Sequence, residues 1–244
     1  MTYCVGLRID RGLIMMSDTR TNAGVDNIST FSKMSVWEVP DERVITILSA
    51  GNLATTQATV SMLDERAKAP EDRDPSILKA PSMFQVARIV GRTLRDAIQA
   101  SVGPNQDSGG FSGTLIVAGQ IKGSEPRIFM VYPEGNFIEA THDTPYFQIG
   151  EAKYGKPILV RAYDKTMSFE DAVKLLFVSF DSTIKANLSV GLPLDVHVYE
   201  RDSFKIGRRF RVRGDDDYYQ MISSGWGEAL KDAFYRLPPF KFGG

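Results

Sequence analysis

Cysteine and histidine are nearly missing from this chain: Cys4 is its one thiol, and His142 and His197 are its two imidazoles, in 244 residues. A single cysteine excludes an intrachain disulfide framework or thiolate cluster. The two histidines lie far apart and lack ligand spacing, so no structural zinc site is expected and no metal or cofactor is assigned. Charge of one sign is not in excess either. Lys and Arg total 29 against 30 Asp and Glu, for a net charge of −1 and a pI near 6.2. That balance gives no footing for general nucleic-acid binding or for an anionic membrane surface. No apolar run approaches the roughly eighteen residues that a spanning helix needs. The opening segment has no basic stretch followed by an apolar one, and Arg8, Asp10 and Arg11 interrupt it early. A secretory signal is therefore not expected, and a cytoplasmic location is.

What is present is a large apolar fraction, 43%, enough for one sizeable core. "TYCVGLRI" and "LIMMSDT" read as strands joined at "DRG", an N-terminal hairpin. "NISTFSKMSVWEV" alternates as a third strand, and "VITILSA" is a buried run that leads into a helix from about Asn52 to Ala67. A polar connection follows from Glu71 to Ser82. Val86, Val90, Leu94 and Ile98 then recur every four residues, one apolar helical face. The loop "GPNQDSGG" closes this helix. "TLIVAGQI", "RIFMVY" and "NFIEAT" form a meander, followed by a short helix near Lys153–Ala162 and a second helix opened by the capping pattern "SFED" at Ser168 and Asp171. "LDVHVYE" and "SFKIGRRFRVR" read as a last strand pair, and "DDD" leads into a C-terminal helix ending at "LPP". Strands and helices come in blocks rather than in single alternation, which favours an α+β layered protein with antiparallel sheets over a doubly wound parallel sheet.

The chemistry centres on Thr2. Loss of Met1 would leave a hydroxyl and a free α-amine on one residue. An α-amine titrates at about 7.7–8.0, so roughly a tenth to a sixth of it is unprotonated at neutral pH and available to take the hydroxyl proton. This is the N-terminal threonine form of the nucleophile–base pair. Asp18 ends the second strand, and Lys33 lies in "FSKMS". A lysine beside the amine lowers the amine's pKa by repulsion, and a carboxylate offsets the burial of the lysine. Gly51, in "SAGN" between core strand and helix, is placed to offer a backbone N–H to an oxyanion.

Thr after Met, the turn at "DRG", then "SDTR", "SKM" and "SAG" before a helix resemble a proteasome β-type subunit. "GTLIVAG", "MVYPEGNF" and "IGEAKYGKPIL" are similar to the same superfamily, and "MTYCVGLRIDRG" and "NLSVGLPLDV" resemble its bacterial Anbu, or ancestral β subunit, branch. The resemblance covers about residues 2–200. It implies a four-layer αββα sandwich, the N-terminal nucleophile hydrolase fold, with two antiparallel sheets between helical layers. It also implies one domain over 1–244, with 214–244 a C-terminal helical extension. By position it makes Thr2 the nucleophile, Asp18 and Lys33 the charge pair and Gly51 the oxyanion donor. Thr21, Phe31, Ser35, Ser49, Leu53 and Gln57 fall where the family lines its substrate pocket, and Phe31, Lys33 and Ser35 would share one face of a strand. Two positions depart. Active members carry serine after the glycine that precedes the third helix, where Glu151 stands here. They carry Asp three residues before a second serine, where this chain has Asn187, with Ser189 out of step. Arg20, Glu151, Asn187 and Ser189 are candidate supporting residues.

The resemblance implies a homo-oligomeric ring or open spiral acting on peptide or amide bonds without a metal, and it leaves an ATPase partner unassigned. Two other readings stand beside it: an assembled scaffold without peptidase activity, and an amidase for a γ-glutamyl or isopeptide substrate. Cys4 reads as a small buried residue, the arginines of "KIGRRFRVR" as a solvated face or subunit contact, and Asp215–Asp217 as helix N-terminal acids.

Overall fold

The computed structural model describes residues 2–22, 28–68, 75–102 and 108–242. Met1, the first part of the connection at 71–82 and residues 103–107 of the glycine-rich loop lie outside them. In chain order the elements are β1 (Tyr3–Ile9), β2 (Gly12–Asp18), β3 (Arg20–Asn22), β4 (Ile28–Thr30), β5 (Met34–Val39), β6 (Arg43–Gly51), α1 (Leu53–Lys68) and α2 (Met83–Ser101). They continue as β7 (Gly113–Ile121), β8 (Arg127–Val131), β9 (Phe137–Glu139), β10 (Tyr146–Gly150), α3 (Lys156–Ala162), α4 (Phe169–Ala186), β11 (Leu194–Glu200), β12 (Arg208–Val212) and α5 (Asp217–Tyr235).

Two five-stranded antiparallel sheets form, in the orders β10-β1-β2-β11-β12 and β5-β6-β7-β8-β9, with β3-β4 as a separate ribbon. Period-two alternation divides each central strand between two cores. From β1, Tyr3, Val5, Leu7 and Ile9 pack with Leu159, Leu176 and Phe180 of α3 and α4. Cys4, from the same strand, faces the second sheet with Met15, Leu48, Ile116 and Tyr199. From β6, Ile45 and Ile47 pack with Val86, Val90 and Leu94 of α2, while Val44 and Leu48 turn inward. The result is helices, sheet, sheet, helices, the αββα sandwich. The sheets approach closely at Gly6, where a Cβ would lie 2.9 Å from Ile116.

The hairpin, the helical face of α2 and the capping pair hold as read. The Ser168 hydroxyl accepts from the Asp171 N–H at 3.0 Å and meets the Asp171 carboxylate at 3.0 Å. Three readings are corrected. The stretch "NISTFSKMSVWEV" is not one strand: β4 ends at Thr30, Phe31–Lys33 are irregular, and β5 begins at Met34. The cause is a crossing between layers. The Phe31 N–H donates to the Thr19 carbonyl, and the Lys33 carbonyl accepts from the Ser49 N–H, which bends the chain from ribbon to sheet. The third helix starts at Lys156 rather than near Lys153. The edge strand β10, absent from the sequence reading, completes the first sheet against β1.

The inter-sheet core also holds a polar pair. His197 on β11 is fully buried and its Nδ1 lies 2.9 Å from the Thr46 hydroxyl on β6, while its Nε2 has no hydrogen-bond partner among the described residues. Burial, reinforced by the Arg209 charge, pushes the imidazole pKa down to about 4. An unfolded histidine binds its proton near pH 6.5, so protons favour the unfolded chain between these values. This contribution to stability is complete above about pH 6.5 and is lost as pH falls toward 4, by up to about 3 kcal/mol. Urea midpoints at pH 7 and pH 4.5 check it: the wild type loses stability between them, and His197→Met flattens the difference.

Candidate active site

The start of β1, β3, the bend before β5, the β6–α1 junction and the end of β10 meet at one cleft of about 430 Å³. Thr2, Thr21, Lys33, Ser49, Gly51, Asn52, Leu53, Thr56 and Gly150 line it. Thr2 is 8% exposed at the head of β1. Its carbonyl accepts from the Glu151 N–H at 2.7 Å. Gly150 makes this approach possible: its φ is +80°, and a Cβ there would lie 1.9 Å from the Thr2 oxygen. A side chain would be strained in that left-handed conformation as well as blocked.

Behind Thr2 lies a buried ion pair. The Lys33 ammonium sits 2.7 Å from Asp18 Oδ1, and both side chains are almost wholly buried. Lys33 also donates to the Arg20 carbonyl at 2.6 Å. Asp18 Oδ1 accepts from the Tyr3 N–H at 3.1 Å and Oδ2 from the Gly191 N–H at 3.4 Å. Burial pushes the Asp18 carboxyl upward from the usual range, opposed by the Lys33 charge and by these donors. The ion pair therefore holds a charge that the interior would otherwise expel. Cys4, also buried, has its thiol pushed up by burial and donates weakly to the Ser49 carbonyl, so it is unsuited to thiolate chemistry.

Gly51 sits at the turn from β6 into α1 with φ +112°. A Cβ would meet the Ser112 carbonyl at 2.5 Å, so glycine is required. Asn52 opens α1 by accepting from the Thr55 N–H at 3.1 Å. Of the pocket residues read from sequence, Thr21, Ser49 and Leu53 line the cleft, whereas Phe31, Ser35 and Gln57 do not. Phe31 is 39% exposed because the bend at 31–33 breaks the alternation that would have set it beside Lys33. Asn52 and Thr56 line the cleft and were missed; their position one and five residues beyond Gly51 at the helix start was the available signal.

The two departures meet each other. Asn187, at the end of α4, donates through its side-chain amide to Glu151 Oε2 at 2.8 Å and accepts from the Ser189 N–H at 2.9 Å. Arg20 donates to the Leu188 carbonyl at 2.9 Å. The segment 187–191 is thereby tied to Glu151, Arg20 and Asp18 together.

Paired antiparallel sheets between helical layers, with the first strand opening into the cleft, define the N-terminal nucleophile hydrolase fold. The chain belongs to the proteasome subunit family, whose model matches residues 2–196. It is 23% identical to the proteasome subunit beta of Haloferax volcanii, over 87% of this chain and 79% of that one. Among solved structures it is similar to Anbu (ancestral beta-subunit) from Yersinia bercovieri, with 47% identity, TM-score 0.92, and 99% and 100% of the two chains covered. It is also similar to the helical assembly of the Anbu complex from Pseudomonas aeruginosa, with 43% identity, TM-score 0.91 and 98% of each chain covered.

Removing the lysine tests the ion pair. Lys33→Met leaves a buried carboxylate without its cation and should cost about 3–5 kcal/mol at pH 8. The loss should be smaller at pH 5 than at pH 8, because burial raises the Asp18 carboxyl and removing Lys33 takes away the charge that opposes this, and Lys33→Met with Asp18→Asn should recover part of it. Denaturant midpoints of the wild type and the two variants at both pH values check this.

Proposed function

We infer that this protein is a proteasome-like threonine hydrolase subunit that cleaves peptide or amide bonds through Thr2 after loss of Met1. The observation that carries the reading is the convergence of Thr2, the buried Lys33–Asp18 pair and the Gly51 turn on one cleft. In this reading the free α-amine takes the proton from the Thr2 hydroxyl while Oγ1 attacks the carbonyl carbon. Lys33 keeps the amine from over-protonating by repulsion, and Asp18 holds Lys33 in place. The Gly51 N–H receives the developing oxyanion. The resulting ammonium gives its proton to the leaving amine, and water then releases the acyl group from Thr2. Leu53 and Thr21 offer a mixed apolar and polar wall to the substrate side chain. Serine and aspartate are replaced at 151 and 187, so turnover of simple peptides is slow and a narrow amide substrate fits better than broad proteolysis.

The same reading makes the working form a homo-oligomer of single-domain subunits, with 214–244 as an extension. Support comes from the surface: α5 buries only Tyr219, while Phe234, Tyr235, Leu237, Phe240 and Phe242 are exposed by 66–89%. Apolar surface of that extent marks an association site.

The test is labelling by a β-lactone, which acylates a nucleophilic hydroxyl, on protein whose mass shows Met1 removed. Wild type gains one acyl group per chain and Thr2→Ala gains none; equal labelling of the two refutes the assignment. Sedimentation at micromolar concentration should give a species many times 27.1 kDa, and truncation before Arg236 should reduce it. A monomer throughout would sink the assembly reading.

A further inference from the structure

The basic run at 205–213 takes no part in the Thr2 cleft. It carries β12, the outer strand of the first sheet, which pairs with β11 on one side. Its other side pairs with no strand among the described residues. Arg208, Arg209, Phe210 and Arg211 are all exposed, whereas β1, β2 and β11 are almost wholly buried. Alternation gives β12 two unlike faces. Arg208, Phe210 and Val212 line an apolar cleft of about 410 Å³ with Phe169, Val173 and Phe177 of α4. Arg209 and Arg211 take the other face, opposite His197 and Asp195 of β11.

The charge on this edge is largely unspent. No acidic residue occurs between Asp202 and Asp215. Asp195 takes Arg211, at 2.6 and 2.9 Å. Arg208 reaches the exposed Glu170 at 3.7 Å, and Arg209 and Arg213 have no carboxylate partner among the described residues. Other nearby acids are engaged: Asp216 accepts from the Tyr219 N–H, and Glu38 accepts from the Ile206 N–H. The Arg209 charge is felt as far as buried His197, whose imidazole it helps to keep neutral.

We propose that β12 is a strand-addition site for an extended segment of a partner protein in which acidic residues alternate with apolar ones. An added strand hydrogen-bonds to the N–H and C=O groups that an edge strand leaves open. Its apolar side chains enter the cleft beside Phe210, and its carboxylates fall against Arg209 and Arg213. The same arginines select the partner. Pairing β12 with β12 of a second copy would set arginine against arginine, and like charges directly opposite are destabilising. An acidic strand meets the complementary charge instead, and a basic one is repelled.

The probe is a capped, fluorescein-labelled heptapeptide alternating Glu and Leu, titrated onto the full chain and read by anisotropy. It should bind one per chain. Arg209→Glu with Arg213→Glu, both at the surface, should weaken binding about tenfold or more, and high salt should weaken it in the same direction. A peptide of equal composition with its glutamates in one block should also bind about tenfold more weakly, because it cannot address two faces. Successive amides of an added strand point toward β12 and away from it in turn. N-methylation of one alternate set should therefore abolish binding, and N-methylation of the other should be tolerated. Hydrogen exchange of the outward amides within 208–212 should be fast in the free protein and slowed by the peptide. Failure of the alternating peptide to bind wild type would overturn the site. Equal binding of the block peptide, or equal effects of the two methylations, would reduce it to charge attraction and overturn strand addition. Outward amides already protected without peptide would show that a second copy covers the edge and would overturn the assigned partner.

Discussion

The site is organised by one buried carboxylate. Asp18 accepts from the start of β1 through the Tyr3 N–H, from the bend before β5 through Lys33, and from the segment after α4 through the Gly191 N–H. Each donor lies on a different part of the sandwich. A carboxylate without exposure is tolerated only when its oxygens are matched in this way. The match therefore fixes three segments relative to one another within hydrogen-bond tolerance. Thr2 inherits its position from Tyr3, and the cleft inherits its back wall from Lys33. The irregular bend at 31–33 follows from the same demand, because it lets the lysine reach back between ribbon and sheet to both Asp18 and the Arg20 carbonyl.

Glycine is the second constraint. At 51 and 150 the backbone takes positive φ, with a carbonyl within 2.5 Å of where a Cβ would stand. Both positions border the cleft. They let backbone, rather than side chains, form its rim, and backbone N–H groups do not titrate. The first is forced by the tight passage from β6 into α1. The second is forced by the closing of β10 on the head of β1. The cleft thus exists where two strand ends turn, and neither turn admits a side chain.

How far the sequence discloses this depends on the range of the interactions. The β1–β2 hairpin and the α2 face are written in local periodicity and were legible. So was the grouping of Thr2, Asp18, Lys33 and Gly51, though through resemblance of short motifs rather than through spacing. β10 was not legible, because "YFQIG" is five residues long and gains its structure only by pairing with a strand more than 130 positions away. The places of Phe31 and Ser35 failed for a related reason: alternation predicts a shared face only along an unbroken strand, and a long-range contact breaks this one. Glu151 and Asn187 were read separately as missing serine and aspartate. That they meet at 2.8 Å is a tertiary fact that no one-dimensional reading contains.

That contact changes what the departures mean physically. Read one at a time, each removes a polar group from around the amine. Together they retain one negative charge and one neutral partner, with the carboxylate on the β10–α3 side and the amide on the α4 side. The segment that carries Asn187 also reaches Asp18 through the Gly191 N–H, and Glu151 holds the Thr2 carbonyl through its own N–H. The substituted pair thus joins the end of α4 to the head of β1 by a second route, beside the one that runs through Asp18 and the Tyr3 N–H. Two exchanges that look independent along the chain are one contact in the fold.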